Sequence, residues 1–218
     1  MLQTNLSSPF DPVLERARAQ RVIPVAVIDD PATAAPLGHA LAAAGARVVE
    51  VTLRTEAAER SIAVLAERGD LLVGAGTVVR PEQVDAAKRA GAQFVVSPGL
   101  DARVVKRCRD LGVPAVPGVA TASEVMAALA LDFSLLKLFP AEACGGIALV
   151  RALSGPFPGV RFIPTGGISA ANAGEYLRLG SVAAIGGSWM VAPALLAAGD
   201  YDAIARLTAE ALELAAAA

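Results

Sequence analysis

Eight short apolar runs recur along the chain, and each is followed by a stretch of helical periodicity. The runs are VIPVAVI (22–28), RVVEVTL (47–53), LLVGAGTV (71–78), QFVVSPG (93–99), VPAVPGV (113–119), LLKLFPA (135–141), RFIPTGG (161–167) and VAAIGGS (182–188). They begin roughly 20 to 26 residues apart, about one strand–helix unit each. They are rich in Val, Ile and Leu, as strands buried on both faces must be. Eight regular units without a long interruption predict an α/β fold, a single (β/α)8 TIM barrel spanning residues 1–218. An open, doubly wound parallel sheet is the rival, because alternation alone does not establish closure.

The expected organisation is an extra N-terminal helix over 1–20, the eight strands with their helices over 22–188, and a C-terminal helical segment over 189–218. Gly45, Gly69, Gly91, Gly112 and Gly180 follow helical stretches and read as helix-ending glycines. Ser169 reads as the N-cap of the helix after the seventh run.

In such a barrel, chemistry gathers at the carboxyl ends of the strands. Two charged residues stand inside apolar runs, Glu50 in VVEVTLR and Lys137 in SLLKLFPAE. A fully buried lysine or glutamate is rare unless paired. Of 19 basic residues only three are lysines; Lys88 and Lys106 fall on amphipathic helical stretches, where a solvated face explains them. Lys137 is the one lysine in an apolar strand. An amine can give up its proton and attack a carbonyl, which a guanidinium effectively cannot. Lys137 therefore reads either as a snorkelling or satisfied lysine, or as an imine-forming nucleophile. Glu50 reads either as half of a structural ion pair with Lys137 or Arg54, or as a general acid/base. Strand parity puts Glu50, Thr52 and Arg54 on one face, and Lys137 with Phe139 on one face.

The seventh and eighth runs end in glycine pairs, Gly166–Gly167 and Gly186–Gly187, the latter followed by Ser188. Loops after strands seven and eight are the usual phosphate site of this architecture, and glycine lets backbone N–H groups approach an anion closely. The alternative is a pair of tight turns with no ligand.

Other readings are exclusions. A net charge of −2 advertises no nucleic-acid face. Residues Leu179 to Gly199 carry no charge, yet their glycines, serines and Pro193 fit a strand, a turn and a short helix better than a membrane span. Cys108 and Cys144 lack metal or CxxC spacing, no His/Asp/Glu cluster suggests a metal, and the lone His39 sits in an alanine-rich helix. The N-terminus lacks a secretion-signal pattern. A cytoplasmic protein without metal or cofactor is expected.

Taken together, EVTLRT (50–55), GAGTV (74–78), SPG (97–99), KLFPAE (137–142), PTGGIS (164–169) and IGGSW (185–189) resemble the bacterial 2-keto-3-deoxy-6-phosphogluconate/4-hydroxy-2-oxoglutarate aldolases. The resemblance runs from about Val22 to Ala203 with the motifs in order. It implies a class I aldolase, usually a homotrimer, acting on a small phosphorylated 2-keto acid. Lys137 would form the Schiff base and Glu50 would shuttle protons. Arg54 and Thr77 would hold the substrate carboxylate, with Pro98, Phe139 and Thr165 lining the pocket. Gly166, Gly167, Gly186, Gly187 and Ser188 would take the phosphate. Arg54 and Pro98 favour the gluconate over the galactonate type. An isomerase, or a non-catalytic phosphosugar-binding barrel, would need no imine-forming lysine.

Overall fold

The computed structural model describes residues 11–218; residues 1–10 of the helix expected over 1–20 lie outside the described residues. The chain opens with α1 (Asp11–Ala19), β1 (Val22–Ala26), α2 (Ala34–Ala43), β2 (Val48–Thr52) and α3 (Ala58–Glu67). It continues through β3 (Leu72–Gly76), α4 (Pro81–Arg89), β4 (Phe94–Val96), α5 (Ala102–Leu111), β5 (Ala115–Val116), β6 (Gly118–Val119) and α6 (Ala122–Ala130). Then come β7 (Leu135–Leu138), α7 (Gly146–Ser154), β8 (Arg161–Pro164), α8 (Ala173–Leu177), β9 (Ile185–Gly187), α9 (Pro193–Ala198) and α10 (Tyr201–Ala216).

All strand pairs are parallel. One ladder runs β5-β4-β3-β2-β1-β9 and a second runs β6-β7-β8. The fifth apolar run carries both β5 and β6, which part at Pro117, a residue with no N–H to give to a ladder. Two isolated parallel bridges, Phe162 with Val182 and Thr165 with Gly186, tie β8 to the β9 run. The result is an α/β fold around a curled parallel sheet.

The strands are buried on both faces, and their parity separates two cores. Val49, Val51, Val73, Ala75, Leu136 and Leu138 face the helix layer. Ile23, Val48, Leu72, Phe94, Val96, Val116, Ile163 and Ala184 fill the concave side, where α1 adds Ala17 with Val13 and Leu14 packed against them. α1 therefore covers the amino-terminal ends of the strands with apolar side chains, and the polar inward residues collect at the opposite, carboxyl end.

Two local expectations are corrected. α8 begins at Ala173, not beside Ser169, and Asn172 precedes it. The Ser169 amide instead donates to Asn172 Oδ1 at 2.8 Å. Gly45, Gly69, Gly91 and Gly112 end helices with positive φ, but Gly180 does not. His39 is exposed on α2, as its sequence setting suggested.

Candidate active site

Glu50 is central on β2 and Lys137 on β7, both with inward parity. Their residues are 4% and 5% exposed, and Lys137 Nζ lies 3.2 Å from Glu50 Oε1. The ammonium also stands 5.4 Å from the centre of the Phe139 ring, two residues along the same face. The pair has space because of what its neighbours lack. Gly76 is the inward residue at the end of β3, registered against Thr52. A Cβ there would lie 2.1 Å from Glu50 Oε1 and 2.7 Å from its Cγ and Cδ. Glycine inside a strand marks such a close approach.

Above the pair opens a cavity of about 460 Å3. Lys137 and Phe139 enter it from the β7 end, Arg54 from beyond β2, Thr77 from beyond β3, and Pro98 from beyond β4. Thr165, Gly166, Gly167, Gly186 and Ser188 complete the opposite side. Glu50 is not in this wall; it lies beneath, where it and Lys137 border a much smaller void with Leu14, Ala17 and Phe94. Gly187 does not line the cavity either, since its Cα faces the Trp189 ring, where a Cβ would come within 1.9 Å. Among the lining residues Arg54 and Lys137 are basic and none is acidic; the Glu50 carboxylate that pairs with Lys137 lies beneath the wall.

The local backbone explains these placements. Ser97 Oγ donates to the Gly99 carbonyl at 2.8 Å, and Gly118 lets the Pro98 carbonyl lie where a Cβ would be 2.3 Å away. Thr77 has φ of 59°, a left-handed conformation that is strained for a β-branched residue. The Gly166 and Gly167 φ values are 96° and 80°, open to glycine and costly for other residues.

Sequence reasoning missed Gly76, although it lies inside the quoted GAGTV. It also missed Val25, Val27, Ile168 and Pro193, which border the cavity. Parity along β1 could have suggested Val25 and Val27; nothing in the sequence signals Pro193. Among the described residues no group of three or more His, Cys, Asp or Glu side chains could hold a metal ion, and no helix is long and apolar enough to cross a membrane. Burial pushes the Cys108 thiol up to about 12, whereas Cys144 is exposed on the loop after β7.

The family model for KDPG and KHG aldolases matches residues 13–207. The chain belongs to the KDPG and KHG aldolase family. It is an aldolase, a lyase of carbon–carbon bonds. The KHG/KDPG aldolase of Escherichia coli (strain K12) is 49% identical over 195 residues, covering 88% of this chain and 91% of that one. The KDPG aldolase of Legionella pneumophila, solved with pyruvate captured as a covalent carbinolamine intermediate, superposes with a TM-score of 0.87 at 41% identity. That match covers 93% of this chain and 97% of the other. The 2-keto-3-deoxy-6-phosphogluconate aldolase of Zymomonas mobilis, solved with 3-phosphoglycerate, gives a TM-score of 0.88 at 40% identity, covering 94% and 97%.

Proposed function

We propose that this family member reversibly cleaves 2-keto-3-deoxy-6-phosphogluconate to pyruvate and glyceraldehyde 3-phosphate through a Schiff base on Lys137. It also acts on 4-hydroxy-2-oxoglutarate, giving pyruvate and glyoxylate. One observation carries the proposal: Lys137 and Glu50, 87 positions apart, meet at 3.2 Å under a cavity with glycine turns on one wall.

In this scheme the Lys137 amine, its proton taken by Glu50, attacks the C2 ketone to form a carbinolamine. Glu50 returns that proton to the carbinolamine hydroxyl, which leaves as water; a protonated imine remains, an electron sink next to C3, and Glu50 is again a carboxylate. Glu50 takes the C4 hydroxyl proton, and the C3–C4 bond breaks with its electrons passing into the imine. The aldehyde leaves and an enamine remains. Glu50 returns a proton to C3, and water releases pyruvate from Lys137. Arg54 and Thr77 hold the carboxylate, while Pro98, Phe139 and Thr165 enclose the pyruvyl carbons. The Gly166–Gly167 turn, Gly186 and Ser188 take the phosphate. Binding energy spent on that remote group orients the reacting carbons.

The proposal extends to the architecture. The described residues, 11–218, form one domain, a closed (β/α)8 barrel. The join of β5 and β6 across Pro117 and the bridges from β8 to β9 support closure. The working form is a cytoplasmic homotrimer.

Steady-state cleavage assays test the substrate claim. The phosphorylated gluconate substrate is expected to have a kcat/KM about 100-fold or more above that of 4-hydroxy-2-oxoglutarate, a ratio worth about 2.7 kcal/mol of transition-state binding. Preference for the galactonate epimer, or pyruvate release from neither substrate, contradicts it.

A further inference from the structure

The Gly166–Gly167 turn is held from behind by groups outside the cavity. The Gly166 carbonyl accepts from the Glu142 amide at 3.1 Å, and the Gly167 carbonyl accepts from Asn172 Nδ2 at 3.1 Å. In a trans peptide the N–H points opposite to the carbonyl before it. Anchoring these two carbonyls therefore turns the Gly167 and Ile168 N–H groups the other way. Neither finds an acceptor among the described residues. Gly167 and Ile168 both border the cavity, so these are free donors at its wall.

The Glu142 side chain completes the support. Its Cβ and Cγ lie against Gly167, where a Cβ would be only 2.6 Å from each. Glu142 is exposed and does not line the cavity, so nothing in bulk solvent would fix its rotamer. What fixes it is Tyr176 on α8, fully buried, whose hydroxyl donates to Glu142 Oε1. Gly146 makes room for this contact, since a Cβ there would approach Glu142 Oε1 to 3.0 Å and Tyr176 Oη to 3.2 Å. Burial, and then the bond to Glu142, raise the Tyr176 pKa, so the phenol keeps its proton.

We propose that the Glu142–Tyr176 pair is a positioning device for the Gly166–Gly167 turn. It sets the preference for phosphorylated over unphosphorylated 2-keto acids. This rests on the reading of the turn as the phosphate site. Neither residue touches the reacting carbons, so losing the pair affects one substrate class and not the other.

The test compares kcat/KM for 2-keto-3-deoxy-6-phosphogluconate and 4-hydroxy-2-oxoglutarate in the full-length enzyme. Tyr176→Phe keeps the buried ring and removes only the hydroxyl. It is expected to lower kcat/KM about 10-fold on the phosphorylated substrate and to stay within about twofold of wild type on the other. Glu142→Ala, at an exposed position, gives the same selective loss without touching the core. Glu142→Gln keeps an oxygen that accepts from Tyr176 and is expected to retain the wild-type preference. Equal losses on both substrates, or an unchanged preference in Tyr176→Phe and Glu142→Ala, overturn the inference. A wild-type enzyme with no preference for phosphate overturns the underlying site reading and this inference together, a result distinct from a preference that the variants keep.

Discussion

At the scale of single residues, the site depends on an absence as much as on Lys137 and Glu50. Glu50 reaches Lys137 because β3 offers a bare Cα at Gly76. A methyl group there would overlap the carboxylate and force Glu50 into another rotamer. Gly76→Ala is therefore expected to slow deuterium exchange at the methyl group of pyruvate by about 100-fold, the order of loss that a 1 Å misplacement brings. Borohydride trapping of the pyruvate imine should persist. Leu37→Ala is the control: Leu37 is fully buried on α2, in the core between the sheet and the helices. It should lower stability and leave the ratio of exchange to trapping unchanged. Equal exchange in Gly76→Ala and wild type would remove Gly76 from the positioning of Glu50. The sequence showed the two charged residues as anomalies of burial, because a charge in a V/I/L run is visible without a structure. It hid Gly76, because a glycine in a strand does not announce which side chain needs its space.

At the scale of elements, helices are tied to one another at their carbonyl ends. Lys88 on α4 donates to the Leu111 carbonyl at the end of α5, and Arg109 on α5 donates to the Leu131 carbonyl beyond α6. Arg109 also lies 3.8 Å from Asp132 and 5.4 Å from the centre of the Phe133 ring. A cation at the negative end of a helix is worth a fraction of a kcal/mol at the surface. Arg109→Ala should cost about 0.5–1 kcal/mol, or roughly 1–4 °C in Tm, with the loss shrinking at high salt. Lys106→Ala removes a cation that pairs one turn along with Asp110, and should cost about 0.3 kcal/mol or less. Urea unfolding at two salt concentrations checks both; equal costs would deny Arg109 its inter-helix role. Lys88 illustrates what the sequence could not show. Helical periodicity placed it on an exposed face, where it is, but the carbonyl it reaches belongs to a helix 23 positions away.

At the scale of the whole molecule, the curled sheet divides its concave side between two tasks. Apolar side chains and α1 fill the amino-terminal end, and the cavity occupies the carboxyl end. The alternation of runs made the order of elements legible, and strand parity put Glu50 with Arg54 and Lys137 with Phe139 on shared faces. Height along the sheet was not. Glu50 pairs in register with Gly74 and Val25, and Lys137 with Gly118 and Ile163. Those registers bring the two charges to one level, and no periodicity within a strand encodes register against its neighbours. The fifth run read as one strand, and the structure divides it at Pro117, which has no N–H to give to a ladder. The glycine pair of β9 shows the limit of motif reading: Gly186 borders the cavity while Gly187 packs on Trp189, and the letters GG do not say which is which.

The proposed Schiff-base chemistry depends most on Lys137 as the nucleophile. Sodium borohydride reduction of the enzyme with pyruvate, followed by peptide mass mapping, tests it directly. The result predicted is one reduced adduct per chain, on the peptide containing Lys137, and none in Lys137→Arg. No adduct, or an adduct on Lys88 or Lys106, would contradict the mechanism.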